Sequence, residues 1–223
     1  MKQTINRPIC VLLGALCLVV VGCSQPSNTS LLERGNYAMW QGRWSDATAD
    51  FTEAAALHPG DWNAQYCLGQ CYMELGEPQL ACQSLAIAES LHPENTKVAD
   101  LYAEALLQSG ERNKLYTYLL HRAQTLQTVR SWMVFAEYTM DLDDPDSATN
   151  AINTAIAISG GTNAMPYIIA ASFAERLGDD TLAVTHWRQA WIIEPMNEDI
   201  SNALRSHGVV PGPTMTGVDD AVE

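Results

Sequence analysis

The sequence predicts an all-α fold of stacked helix pairs, and the clearest observation behind this prediction lies between residues 61 and 93. Two stretches with helical periodicity flank a turn at Gly76, and a proline ends the second stretch. Small residues at Gly69, Ala81 and Ala88 would let the two helices approach closely, and larger apolar side chains would fill the space between them. This stretch therefore predicts one antiparallel helix pair.

The second observation is that the pattern recurs with a period of 34 residues, which separates Gly42 from Gly76 and Gly76 from Gly110. Gly178 lies three such periods beyond Gly76, after a one-residue slip and a compensating slip in the repeats between them. One helix pair cannot bury its own apolar face, so consecutive pairs must stack into an α-solenoid. The pattern predicts five repeats, at approximately 28–61, 62–95, 96–128, 129–163 and 164–197.

The chain after the repeats predicts a capping helix and a tail. Asn197 followed by two acidic residues is typical of a helix start, and Gly208 is typical of a helix end. A helix over residues 198–208 has an apolar face and would cover the open end of the stack. Residues 209–223 are predicted to be disordered.

The residues within one repeat resemble those of the tetratricopeptide (TPR) repeat. Leu68 and Gly69 are followed by Tyr72, then by Ala81, and the repeat ends at a proline. This resemblance implies a right-handed superhelix of ten antiparallel helices with a concave and a convex surface. It also implies that protein partners bind along the concave face, through the first helix of each repeat.

Local signals predict how individual helices begin. Ser30 with Glu33 fits a capping box at the start of the first helix. In the fourth repeat, residues 141–146 resemble a calcium loop only faintly, since the required glycine is missing and Pro145 stands where a ligand is needed. We interpret Asp144 as a helix cap, with Pro145 in the first turn of the helix.

The N-terminus predicts export and lipidation. Residues 1–22 carry Lys2 and Arg7 and then an apolar run too short to span a bilayer comfortably, which is typical of a signal peptide. Val20 to Cys23 resembles the bacterial lipobox, which implies lipidation of Cys23; the alternatives are an ordinary signal peptide cut elsewhere or an uncleaved anchor. Residues 23–29 would form a tether. In a source with two membranes, the resemblance implies the periplasmic face of the outer membrane.

Charge and motifs argue against several classes of function. The formal net charge is −14, and no basic stripe for binding nucleic acid is present. The sequence contains no nucleophile elbow, no HExxH motif and no glycine-rich phosphate loop, so we predict no enzyme activity and no cofactor. His58 and His92 occupy the same slot of successive repeats and are interpreted as helix-end residues rather than metal ligands.

Three cysteines remain after the predicted lipidation site. Cys67, Cys71 and Cys82 are interpreted first as free buried thiols that fill apolar space. A bond between Cys71 and Cys82, which lie at mirrored places across the turn, is the second interpretation. A metal site comes third, because it would need a fourth ligand that the sequence does not provide.

The concave face implied by the resemblance would present apolar, polar and acidic residues. By the register, these are Leu32, Asn36, Met39, Tyr66, Gln70, Met73, Asp100, Glu104, Met133, Glu137, Met140, Ile168 and Ser172. In the TPR grooves of chaperone co-factors, Lys, Asn and Arg clamp a terminal carboxylate. In this sequence only Asn36 matches the clamp, whose other positions are occupied by Leu32, Tyr66, Asp100 and Glu104. A terminal carboxylate is therefore not the expected ligand, and the methionine, aromatic and acidic residues favour an apolar or basic segment as the partner.

These expectations combine into a hypothesis about function. The chain is expected to be a lipid-anchored scaffold or adaptor of the cell envelope, which assists the assembly of a secretion, pilus or cell-wall machine. The alternatives are a solute-binding or enzymatic lipoprotein, and a purely structural lipoprotein.

Overall fold

A computed structural model describes residues 27–212, which form eleven α-helices. The helices are α1 (Asn28–Trp40), α2 (Trp44–Leu57), α3 (Trp62–Glu74), α4 (Pro78–Leu91), α5 (Thr96–Gln108), α6 (Arg112–Leu126), α7 (Val129–Asp141), α8 (Pro145–Ser159), α9 (Met165–Leu177), α10 (Asp180–Ile193) and α11 (Glu198–Ser206). Five helix pairs and a final helix confirm the predicted α-solenoid with its C-terminal cap.

The helices form two layers. Each helix packs against the next one along the chain, from α1 to α11. Contacts between alternate helices join α1 to α3, α3 to α5 and α7 to α9. The odd-numbered helices therefore approach one another and form what we call the inner layer, while the even-numbered helices form the outer layer.

The turns within the repeats depend on glycine. Gly42, Gly76, Gly110 and Gly178 all have positive φ angles, between 71° and 77°, the left-handed conformation in which glycine commonly ends a helix. In the fourth repeat Asp143 adopts φ 61° in their place, and aspartate is one of the few residues that tolerates this region. Asp144 then caps α8 by accepting from the amide of Ser147, as predicted.

The inner-layer helices begin at polar caps. Asp61, Asn95 and Thr128 each accept a hydrogen bond from amides in the first turn of α3, α5 and α7. The capping box predicted at Ser30 is wrong, because α1 begins at Asn28 and Ser27 is its cap. Residues 28 and 29, which we placed in both the tether and the first repeat, thus belong to α1.

Two glycines set the distance between paired helices. A Cβ atom on Gly35 would lie 2.7 Å from the ring of Phe51, and one on Gly69 would lie 2.5 Å from Cγ of Leu85. Phe51 and Leu85 are fully buried. The side chain of the second helix thus occupies the space that a larger residue on the first helix would need.

The last helix covers the C-terminal end of the stack. Ile200 and Leu204 are buried against the aromatic and alanine side chains of the last pair. His207, directly after α11, lies with Nε2 2.8 Å from a carboxylate oxygen of Glu175, which also accepts a hydrogen bond from Nε1 of Trp187. Val209 packs against the same cluster, and the part of the predicted tail from residue 213 onward lies outside the described residues.

Candidate functional site

The residues that we predicted to line the groove lie on the inner layer, on α1, α3, α5, α7 and α9. The exposed members are Asn36, Asp100, Glu137 and Ser172. The half-buried members are Leu32, Met39, Tyr66, Gln70, Met73, Glu104, Met133 and Ile168. These side chains are in position to contact a segment that lies across the inner layer.

Met140 requires a correction. Its side chain is only 7% exposed and packs into the central core, so it is not a freely presented groove residue. It lies seven residues after Met133, and an α-helix drifts by roughly 20° over seven residues. That rotation, together with the approach of α9, buries most of Met140 and leaves only the small part that lines a cavity between α7 and α9.

Tyr66 is the aromatic residue at the centre of the N-terminal half of this surface. Its ring centroid lies 6.4 Å from that of Trp62, and its hydroxyl accepts a hydrogen bond from Nε2 of Gln70 at 3.3 Å. Burial raises the pKa of the Tyr66 phenol, and Cys67 and Asp100 add to the shift. The phenol therefore stays neutral at physiological pH and can donate a hydrogen bond to a partner.

Ion pairs connect successive inner helices in the C-terminal half. Arg130 of α7 donates to Asp100 of α5 at 2.7 Å, and Arg176 of α9 donates to Asp141 of α7 at 3.3 Å. All four side chains are about half exposed. Pairs of this exposure contribute little to stability, about 0–1 kcal/mol each, but they neutralise two of the carboxylates.

Glu137 lies on α7 between those two ion pairs. Within residues 27–212 it makes no ion pair and no hydrogen bond. Although the side chain as a whole is exposed, the surrounding protein partly desolvates its carboxyl group and raises the pKa above the usual value. The negative charges of Asp141 and Asp100 act in the same direction, and Arg130 opposes them. Glu137 is therefore a carboxylate without a partner in a surface where its neighbours are paired.

An open cavity lies beside Glu137, between α7 and α9. We call it the α7–α9 cavity; its volume is about 390 Å³, and it is lined by Glu137, Met140, Asp141, Ile169, Ser172, Phe173 and Arg176. The apolar members form one part of the wall, and the charged members form another. Such a cavity suits a side chain with an apolar stem and a polar end.

The sequence reasoning missed Arg130, Arg176 and Tyr138 as parts of this surface. Tyr138 donates to Glu104 at 3.5 Å, and Gln108 donates to the other oxygen of Glu104 at 2.7 Å. The signal that could have found the arginines is their spacing, since each follows its aspartate by about one repeat on the next inner helix.

The cysteines lie in two different parts of the core. Cys71 packs in a cluster of the first two repeats, whereas Cys82 packs in the central cluster with Sγ 3.6 Å from Oγ of Ser109. All three cysteines are free and buried, and burial raises the pKa of Cys67 to about 12 and of Cys71 to about 11. The second interpretation, a Cys71–Cys82 bond, is wrong because the helices turn these side chains toward different neighbours.

The two histidines, a metal site and a membrane-spanning helix are the remaining candidates. His58 and His92 are the C-cap residues of α2 and α4, as interpreted. Within residues 27–212, no group of three or more potential ligands could hold a metal ion. The same residues include no helix that is long and apolar enough to cross a membrane. Cys23 and the predicted signal peptide lie outside the described residues.

Comparisons with known proteins agree with this architecture. Residues 38–105 match the sequence model of the tetratricopeptide repeat family. No curated protein sequence matches the chain. The matched residues cover the end of α1, all of α2, α3 and α4, and most of α5; they include Tyr66 and Glu104.

Solved structures of TPR proteins share the fold. The C-terminal part of a TPR repeat-containing protein from Cytophaga hutchinsonii has a TM-score of 0.60 and 17% identity, over 82% of this chain and 76% of that one. MamA from Desulfovibrio magneticus RS-1 has a TM-score of 0.57 and 14% identity, over 77% and 97%. YrrB, described as a TPR protein with an unusual peptide-binding site, has a TM-score of 0.53 and 15% identity, over 82% and 93%. The chain therefore shares the fold of these solved structures.

Proposed function

We propose that this protein is a scaffold that binds a segment of a protein partner along the inner layer of its solenoid and is held at a membrane by a lipid on Cys23. The observation that carries the proposal is the inner layer itself. It places a half-buried aromatic residue, Tyr66, an unpaired carboxylate, Glu137, and the α7–α9 cavity on one surface. These are features of a binding surface and not of a reaction centre.

The chemistry of the surface supports a protein as the ligand. Tyr66 combines a rigid ring with a hydroxyl that can donate, and Met73 adapts to irregular apolar shapes. The carboxylates farther along favour a segment with basic residues, and the net charge of −14 disfavours nucleic acid. YrrB, which shares the fold, supports the idea that this architecture accommodates a peptide.

The lipid anchor is supported by sequence alone. The apolar run before Cys23 and the lipobox-like residues 20–23 support export and lipidation. α1 begins at Asn28, so a linker of only a few residues would separate the lipid from the fold. The solenoid would then work close to the membrane surface, as a scaffold for an envelope assembly such as a secretion, pilus or cell-wall machine.

Replacing Tyr66 with alanine tests the binding surface. Truncation of an aromatic anchor is expected to weaken binding by about 1–3 kcal/mol. The measurement is quantitative recovery of cross-linked partners from solubilised envelopes, with the thermal midpoint of each variant recorded. Ile87→Ala is the control, because Ile87 is 44% exposed on the outer helix α4. If Tyr66→Ala recovers the wild-type partners in full while Ile87→Ala loses them, binding belongs to the outer layer and the proposed surface is wrong.

Replacing Cys23 with alanine tests the anchor. Without the acceptor thiol no lipid can be attached, so the protein is expected to move from the membrane fraction to the soluble fraction. The measurement is fractionation of cells after a salt wash, with Cys67→Ala as a control that also loses one thiol. Retention of Cys23→Ala in the membrane fraction would mean that the anchor is something else.

A further inference from the structure

The carboxylates of the inner layer are not equivalent. On α5 and α7, Asp100 and Asp141 each pair with an arginine of the next inner helix, at 2.7 and 3.3 Å. Glu137 lies between them and pairs with nothing in residues 27–212. The local balance is therefore three carboxylates against two guanidinium groups, with Glu137 left over.

The free protein gains nothing in stability from the charge of Glu137. Because the folded state raises the pKa of this carboxyl group, the ionised form is less favourable in the folded chain than in the unfolded chain. The largest cause of the raised pKa is desolvation of the carboxyl group; Asp141 on the same helix and Asp100 on α5 raise it further, and Arg130 opposes them. Arg176, the basic residue that α9 places in the cavity, is engaged by Asp141. The negative charge of Glu137 would become favourable if a bound ligand supplied a positive charge beside it.

The α7–α9 cavity beside Glu137 determines which cation fits. Met140, Ile169 and Phe173 give it an apolar wall, and the carboxylate lies at the same cavity. The cavity offers a metal ion only two carboxylates, those of Glu137 and Asp141, and Asp141 is already paired with Arg176. This is too few for calcium, which needs six to eight oxygen ligands. A lysine or arginine side chain places its methylene stem on apolar surface and its charged end at a carboxylate.

We propose that the α7–α9 cavity receives a lysine or arginine side chain of the partner segment, with Glu137 as the carboxylate that accepts its charge. This inference rests on the proposed function, because it assumes that a segment lies along the inner layer. It goes further by assigning one pocket, one residue type of the partner and one specificity-determining residue of this chain.

The test uses a random library of short peptides, selected on the immobilised full chain in detergent. Wild-type protein is expected to enrich peptides with a lysine or arginine at one fixed distance from an apolar or aromatic residue. Glu137→Gln is expected to lose that basic preference. Glu53→Gln is the matched control, because it removes the same charge from an exposed position of the outer helix α2.

One enriched peptide is then measured by fluorescence anisotropy in a double-mutant cycle. Glu137→Gln and replacement of the peptide's basic residue with glutamine are each expected to raise Kd about fivefold to tenfold. The two changes together are expected to raise it no more than either alone, because they remove the same interaction.

Four results would overturn the inference. The pocket assignment fails if the enriched peptides show no preference for a basic residue. It also fails if the effects of the two changes on the binding free energy are additive. If Tyr66→Ala still weakens binding in either case, the proposed binding surface stands. If neither Tyr66→Ala nor Glu137→Gln affects any enriched peptide, the pocket and the proposed surface both fail. If the wild-type chain enriches no peptide at all, the proposed function fails and the inference fails with it.

Discussion

Substituting alanine for Gly69 is expected to lower the free energy of unfolding by about 1–2 kcal/mol, although alanine favours helices. An alanine in a helix interior gains roughly 0.5–1 kcal/mol over glycine. Against this, the new Cβ atom would lie 2.5 Å from Cγ and 2.7 Å from Cδ2 of Leu85. Cγ is the branch point of a fully buried side chain, so the helices must separate or Leu85 must leave its rotamer.

Two comparisons make this prediction specific. Gly60→Ala is the control, since a Cβ atom there meets nothing within 4 Å, and it is expected to leave stability unchanged or slightly higher. In a Leu85→Ala background, the obstructing side chain is gone and Gly69→Ala should become stabilising by about 0.5–1 kcal/mol. The measurement is denaturant unfolding of the four variants. A destabilising Gly69→Ala in both backgrounds would show that the close approach to Leu85 is not the cause.

Much of the fold follows from repeating local signals in the sequence. Glycines at one spacing give the left-handed turns, and Asp144 with Pro145 gives the start of α8, because these effects depend on neighbouring residues along the chain. Ser30 shows the limit of such reasoning. Ser27 and Ser30 both have side chains that suit a cap, and the structure selects Ser27, whose oxygen accepts from the amide of Ser30.

The candidate surface was predicted in outline and not in detail. The register placed Tyr66, Glu104 and Glu137 on the inner layer, because residues one period apart occupy equivalent places. It could not show that Glu137 is unpaired, since this depends on where Arg130 and Arg176 extend from two different repeats. The first interpretation of the cysteines, free buried thiols, is confirmed. The second, a bond suggested by the mirrored spacing of Cys71 and Cys82, is wrong because spacing along the chain does not give the direction of a side chain.

A largely buried ion pair between Glu89 and Arg122 lies in the outer layer, and its loss is expected to lower stability more than the loss of the half-exposed pairs of the inner layer. Glu89 of α4 accepts hydrogen bonds at one oxygen from Arg122 and from Tyr118 of α6, each at 2.8 Å. Arg122 also donates to the backbone oxygen of Pro93 at 2.6 Å. Both members of the ion pair are 13% exposed, and the second oxygen of Glu89 is buried without a partner.

Replacing Arg122 with methionine is expected to lower the free energy of unfolding by about 2–4 kcal/mol at neutral pH. Methionine keeps most of the apolar packing but leaves a buried carboxylate with only Tyr118 to satisfy it. Arg130→Met is the matched control, because Arg130 makes an equally short ion pair of 2.7 Å in a half-exposed setting, and its loss is expected to change stability by no more than about 0.5 kcal/mol.

The pH dependence of Arg122→Met distinguishes a buried charge from simple loss of packing. Burial already raises the pKa of Glu89, and Arg122 and Tyr118 hold that rise back. Without Arg122 the pKa rises further, so the folded variant takes up a proton at a higher pH than the unfolded chain does. The stability deficit relative to wild type should therefore be largest at neutral pH and shrink as the pH falls through the raised pKa of Glu89. Denaturant unfolding of wild type, Arg122→Met and Arg130→Met across that range is the measurement. A deficit that is constant with pH, or equal in the two arginine variants, would mean that Arg122 stabilises the solenoid through packing and not by neutralising Glu89.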